Sequence, residues 1–218
     1  MISKDIWRKI IDFIFPKRCL GCGKNEEILC FSCLNGIPKA GWAGDKIHPA
    51  LDYRDDKLKK ALWLFKYGGY ASFADIFGEI IYDKILEEIA DMKIFAGDGK
   101  FIVIPIPLSP AKLKKRGFNQ SELMARKICE LGGEGLFVLR NDILIKVKET
   151  ESQMSIRQKE KRLRNLVGAF AVKNGADLRG GNVIIIDDII TTGATINEAT
   201  RVLKEAGARE VIAFTVAH

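Results

Sequence analysis

Apolar residues at Phe73, Ile76, Phe77, Ile80, Ile81, Ile85, Leu86 and Ile89 recur at steps of three to five, which predicts a long helix over 73–89. Shorter helices are expected from Leu58 to Lys66 and from Asn119 to Leu131. Phe101-Ile102-Val103-Ile104 reads as a strand, stopped by Pro105 and Pro107. Leu136 to Leu139 and Asp142 to Val147 are candidate strands with a turn at Arg140-Asn141. Val183 to Ile186 is a run of four β-branched residues, which suits a strand buried on both faces of a parallel sheet. Thr195 to Ala206 reads as a helix closed by Gly207, and Val211 to Val216 as a last strand. Strands and helices thus alternate from about residue 50 onward. That order predicts an α/β fold, a parallel sheet flanked by helices.

Before residue 50 the pattern is different. Ile2, Ile6, Ile10, Ile11 and Ile14 are interrupted by Lys4, Asp5, Arg8, Lys9 and Asp12, an amphipathic helix pattern over 1–16 rather than the unbroken apolar core of a signal peptide. Two Cys-x-x-Cys pairs follow, Cys19 with Cys22 and Cys30 with Cys33, separated by a short polar linker. Paired units of this kind read as a tetrahedral zinc site that uses all four thiolates and is therefore structural. A dithiol redox pair is the alternative. Cys129, alone at helical spacing with Ala125 and Ile128, reads as a small buried apolar residue. The expected division is a helix over 1–16, a four-cysteine module over 17–50 and the α/β domain over 51–218.

No apolar run approaches the roughly 20 residues needed to span a bilayer, and a cytoplasmic protein is expected. The net charge of +7 is concentrated: residues 111–170 hold 14 Lys and Arg against 7 Asp and Glu. A basic region of this density suggests an anionic partner, whether pyrophosphate or nucleic acid, although a solvated charged face has the same composition. The chain has two histidines, His48 and His218, and neither sits in a motif for Ser-His or Cys-His catalysis.

The strand at Val183 runs into Asp187 and Asp188, then into Thr191-Thr192-Gly193-Ala194-Thr195 at the start of a helix. Open α/β sheets bind ligands at the carboxyl ends of their strands. Free N–H groups and the positive end of the helix dipole attract phosphate there. Carboxylates for hydroxyls or a metal, beside a cradle for one phosphate, meet the demands of a sugar phosphate. A solvated Asp-Asp turn after a buried strand is the plainer reading. Pro105-Ile106-Pro107-Leu108-Ser109 leaves the strand at 101–104 toward the same edge. In the basic stretch after it, Arg116 carries a planar charge suited to phosphate, Gly117 allows a tight bend, and Asn119 can cap the next helix. Gln153 to Phe170, with Arg157, Lys161, Arg162, Arg164 and Asn165, suits a mobile flap over an anion or an exposed linker.

The Asp187–Thr195 segment resembles the ribose-phosphate motif of the type I phosphoribosyltransferases. That resemblance implies that Asp187 and Asp188 hold the ribose 2′ and 3′ hydroxyls of phosphoribosyl pyrophosphate. Thr191, Thr192, Gly193, Ala194 and Thr195 would bind its 5′-phosphate, normally with Mg²⁺ present. Pro105, Ile106 and Pro107 resemble the pyrophosphate loop of amidophosphoribosyltransferase-like domains. The whole ordered set is similar to the ComF family of competence proteins: the two cysteine pairs, Lys66-Tyr67-Gly68, Pro105-Ile106-Pro107-Leu108, Arg116-Gly117-Phe118-Asn119-Gln120, Gln153 with Arg162 and Asn165, and Asp187 to Thr195. This resemblance implies a zinc module ahead of a phosphoribosyltransferase-like domain, and a role in DNA uptake during natural transformation. Two mechanisms follow. One is a phosphoribosyltransferase, for which no residue set reads the acceptor. The other is a module that binds the same ligand or a nucleotide without turnover, binds single-stranded DNA through its basic segment, and docks to a protein of the competence machinery. Only Phe118 lies among the first basic cluster, which gives base stacking little support there.

Overall fold

A computed structural model describes residues 18–25, 27–91, 100–148, 167–173 and 178–218. The expected helix at 1–16 and the basic stretch from Gln153 to Asn165 lie outside the described residues. A one-turn helix, α1 (Phe31–Asn35), belongs to the cysteine module. Next come β1 (Ile47–Leu51), α2 (Asp56–Tyr67), α3 (Phe73–Asp91) and β2 (Phe101–Pro105). They are followed by α4 (Pro110–Arg116), α5 (Gln120–Leu136), β3 (Phe137–Leu139) and β4 (Leu144–Lys146). The chain closes with β5 (Phe170–Val172), β6 (Asn182–Ile189), α6 (Ala194–Glu205) and β7 (Glu210–Ala217).

Five strands pair in parallel in the order β1-β7-β6-β2-β3. The period of two along each strand divides the core. Phe101, Val103, Ile184, Ile186, Ile212 and Phe214 face one cluster, shared with α2, α3, α5 and the cysteine module. Ile104, Val183, Ile185, Val211 and Ala213 face a second, covered by α6 and the antiparallel pair β4–β5. The expected parallel sheet flanked by helices is what the chain forms.

The helices have local causes. The Asp55 side chain accepts from the backbone N–H of Lys57 and Leu58 and so caps α2. Leu58, Ala61, Leu62 and Phe65 then form its buried stripe. Phe65 packs against Phe73, Phe77 and Phe118 with ring centroids 5.6–6.5 Å apart. Asn119 caps α5 by accepting from Ser121 N–H, as its position before the periodic run predicts. Three features differ from the sequence reading. The acidic pair lies within β6, which extends to Ile189 rather than stopping at Ile186. The segments at 136–139 and 142–147 enter different sheets, because β3 pairs with β2 while β4 pairs with β5. β1 spans the expected 50/51 boundary and forms one edge of the main sheet.

Candidate functional site

The chain runs outward from β2 to β3 on one side of the sheet, and from β6 to β7 on the other. β2 and β6 are direct neighbours, with Pro105 opposite Ile186. The order of strands therefore reverses between them, and at such a point a crevice opens outside the carboxyl ends. The proline loop leaves β2 there, and the acidic pair and threonine loop leave β6.

Asp187 is half-buried by exposed surface yet surrounded by protein. Ser121 Oγ donates to its Oδ1 at 3.0 Å, and the backbone N–H of Asp188 donates to the same oxygen at 2.9 Å. Burial first, and the neighbouring Asp188 charge second, push its carboxyl up to about 7, against the pull of these donors and of Lys66. Asp188 is buried, and the ammonium of Lys66 lies 2.9 Å from its Oδ1. Lys66 sits in the last turn of α2, and Ser121 in the first turn of α5. Two helices thus hold the two acids separately.

Asp187, Ile189, Ile190, Thr191, Thr192, Gly193, Ala194, Thr195 and Ile196 line one open pocket of about 220 Å³. Gly193 precedes α6 with φ +73°, a left-handed conformation that L side chains rarely adopt. Thr192 Oγ1 accepts from Ala194 N–H at 3.4 Å. Gly193 has no side chain to cap α6; beyond the Ala194 N–H taken by Thr192, the first turn lines the pocket at Thr195 and Ile196 with the helix dipole behind it. This arrangement suits a phosphate.

Pro105, Ile106, Pro107 and Arg116 do not line that pocket. Ile106 N–H donates to Ile186 C=O at 3.0 Å, and Ile106 C=O accepts from Asn119 Nδ2 at 3.0 Å. The loop is thus tied to both β6 and the start of α5. Ser109 Oγ at its end is buried without a partner among the described residues. Arg116 Nη1 donates to Gln120 Oε1 at 2.9 Å, and its guanidinium lies 5.1 Å from the centre of the Tyr67 ring. Gln120 in turn donates to Phe65 C=O at 3.1 Å. These contacts hold Arg116 against the same end of α2 that carries Lys66.

Two residues of the site carry little signal in the sequence. Lys66 stands in the Lys66-Tyr67-Gly68 piece of the family resemblance, which gives it no role, and otherwise reads as an ordinary basic residue in a last helical turn. Ser121 reads as a first-turn polar residue. Their partners lie far along the chain, and only the fold brings them to β6.

The four cysteine sulfurs lie within 4.8 Å of one another. Cys30 Sγ is 3.6 Å from Cys19 Sγ and 3.7 Å from Cys22 Sγ. Thiolates held about 2.3 Å from one ion at tetrahedral angles sit about 3.8 Å apart, so the cluster can hold a metal ion. At Cys19 burial raises the thiol, but the backbone N–H groups of Cys30, Cys22 and Gly21 outweigh it and bring it to about 6. Sharing a hydrogen bond with Cys30 pushes Cys33 up to about 12. Thiols this close resist joint ionisation unless a cation lies between them. Gly21 is required by space: a Cβ there would stand 2.6 Å from Cys33 Sγ.

Residues 113–218 match the Phosphoribosyl transferase domain family. Over 163 residues the chain is 33% identical to Competence protein ComFC of Bacillus subtilis, an alignment covering 74% of this chain and 60% of that protein. It is 32% identical over 207 residues to Competence protein ComFC of Streptococcus pneumoniae, covering 93% and 81% of the two chains. Competence protein F of Haemophilus influenzae is 34% identical over 113 residues, 50% of this chain and 46% of that one. The chain therefore spans about half to four-fifths of the length of these relatives.

Proposed function

The chain belongs to the ComF family of competence proteins, and on that premise we propose that it binds phosphoribosyl pyrophosphate with Mg²⁺ in the service of DNA uptake. The observation that carries the ligand is the shared pocket: Asp187 and Thr191 to Thr195 line one cavity at the switch point of a parallel sheet. Asp187 and Asp188 accept from the ribose hydroxyls. The hydroxyls of Thr191, Thr192 and Thr195 and the N–H groups around Gly193 and Ala194 hold the 5′-phosphate. Arg116 would meet the pyrophosphate end, and Pro105, Ile106 and Pro107 would bound it rather than donate to it, since the prolines carry no N–H and Ile106 N–H is given to Ile186 C=O. Mg²⁺ would neutralise pyrophosphate oxygens and draw its remaining ligands from substrate and water, which suits a site with few carboxylates. The cysteine cluster holds zinc and is structural, since four thiolates leave no open position.

The geometry supports transfer chemistry in outline. The bond from C1 of the ribose to pyrophosphate would break with both electrons leaving on pyrophosphate. A nucleophile would bond to C1 and lose its proton. Two carboxylates near the sugar stabilise the positive charge that develops, and a cationic far end stabilises the leaving group. The same arrangement of acids and phosphate loop also serves a site that grips its ligand without turnover, which is the second reading.

Calorimetry with phosphoribosyl pyrophosphate and Mg²⁺ tests the ligand. Saturable binding is expected in the wild type, with loss in Asp187→Asn/Asp188→Asn. Equal binding by both proteins, or by neither, would refute the assignment. Pyrophosphate release across a panel of bases and amines then separates turnover from binding.

A further inference from the structure

The exposed face of α2 carries an unusual set of side chains. Trp63 and Tyr67 on that face, and Tyr70 just beyond the helix end, have 58%, 53% and 45% of their surface in contact with solvent. Large aromatics gain little from exposure, and a cluster of them on a soluble surface marks a binding site. Lys60, Trp63 and Tyr67 are spaced i, i+3, i+7 and therefore share one face of the helix. The Trp63 and Tyr67 rings stand 6.1 Å apart at 52°. Arg116 extends the row by stacking on Tyr67 at 5.1 Å. α4, which delivers Arg116, reads Pro-Ala-Lys-Leu-Lys-Lys-Arg, contains no acid, and leaves Lys114 and Lys115 exposed. Tyr67 follows Lys66, whose ammonium holds Asp188, so this surface borders the acidic pair.

Each neighbour alone has an ordinary explanation; together they narrow the occupant. An apolar protein partner would not select a row flanked by Lys60, Lys114, Lys115 and Arg116. A duplex offers phosphates but keeps its bases stacked inside. A single strand offers both, bases for the rings and phosphates for the cations. We propose that Trp63, Tyr67 and Arg116, with Lys60, Lys114 and Lys115, form a stacking platform for single-stranded nucleic acid on the rim of the phosphoribosyl site. The aromatics that the basic cluster lacks in the sequence are supplied by a different helix. This inference goes beyond the ligand reading above and stands without it.

The test uses the full chain and a fluorescent thymidine oligonucleotide, with anisotropy read over a range of salt. Trp63→Ala is expected to weaken binding by roughly tenfold or more, and Trp63→Phe, which keeps an aromatic face, to retain most of it. Lys114→Ala/Lys115→Ala should reduce the slope of log affinity against log salt by about 1.4, two phosphate contacts at roughly 0.7 each. Phosphoribosyl pyrophosphate binding should be unchanged in Trp63→Ala, which also reports that the variant is folded. The proposal is overturned if the wild type does not bind the oligonucleotide at low salt, if Trp63→Ala binds it as the wild type does, or if a blunt duplex of equal length binds as tightly. If the wild type binds the oligonucleotide but not phosphoribosyl pyrophosphate, the ligand reading fails and the platform stands.

Discussion

Asp187 shows how one residue can be recognisable in sequence while its chemistry is not. Two adjacent acids after an apolar run mark a strand end, and both lie at the carboxyl edge as that pattern expects. Their division of labour is invisible locally, because it depends on Ser121 and Lys66. Burial and the Asp188 charge raise the Asp187 carboxyl to about 7. An acid whose folded-state pKa lies above its unfolded value near 3.8 binds its proton more tightly when folded. That contribution to stability is complete below the unfolded value and is lost as pH rises through the folded one. Thermal melts of wild type and Asp187→Asn should therefore diverge between ~pH 4 and ~pH 7, with the wild type losing ground as pH rises. Ligand binding should move the opposite way, since an ionised carboxylate is the stronger acceptor for a hydroxyl. Calorimetric affinity for phosphoribosyl pyrophosphate is expected to rise through about pH 7 more steeply in wild type than in Asp187→Asn, whose own trend reports titration of the ligand. Parallel profiles in the two proteins would count against a protonated Asp187.

At the level of elements, periodicity carried most of the reading. α3, α5, β2, β6, α6 and β7 fall where the apolar repeats predict them, because each buries one stripe or both faces in the core. What the repeats do not reveal are elements too short to repeat. β1 contains His48 and Pro49, and α4 has only Ala111 and Leu113 as apolar residues among its cations, so neither shows a period. Pro110 at the first position and Gly117 at φ +83° behind it bound α4 by local geometry instead. The threonine loop is a third such case, and there the decisive residue is Gly193. A Cβ at this position would meet its neighbours at 3.6–3.8 Å, ordinary contact, so space is not the constraint. The constraint is the backbone at φ +73°. Gly193→Ala should therefore destabilise the fold by about 1–2 kcal/mol, measured by chemical denaturation. Gly193→Asn, which tolerates the left-handed region better, should cost less. If the loop is the phosphate cradle, both variants weaken ligand binding in the same order. Equal stability of all three proteins would show that the turn is not held in this conformation.

At the scale of the molecule, the cysteine module and the α/β domain are less separate than their sequences look. Cys19, Ile28, Leu29, Cys30 and Ile37 belong to the same buried cluster as Leu58, Leu62 and Phe65 of α2. Lys57 at the start of that helix lies against Gly21, and Lys66 at its end holds Asp188. α2 thus runs from the cysteine cluster to the acidic pair. A metal that fixes four thiolates would also fix the helix that packs on them, and through it the orientation of Lys66, Tyr67 and Trp63. Removing it frees four clustered sulfurs and loosens Leu29 and Ile37 against α2. A module with its own core would melt on its own and leave the domain transition in place. A shared core predicts otherwise: chelation should lower the temperature of a single cooperative transition, without a separate early step. Scanning calorimetry of the full chain before and after chelator treatment measures this, with metal analysis expected to give about one zinc per chain before and none after. Phosphoribosyl pyrophosphate affinity, measured below the new transition, should fall because Lys66 is less firmly held. Two resolved transitions, or an unchanged affinity in metal-free protein, would mean that α2 does not transmit the state of the cysteine cluster to the acidic pair.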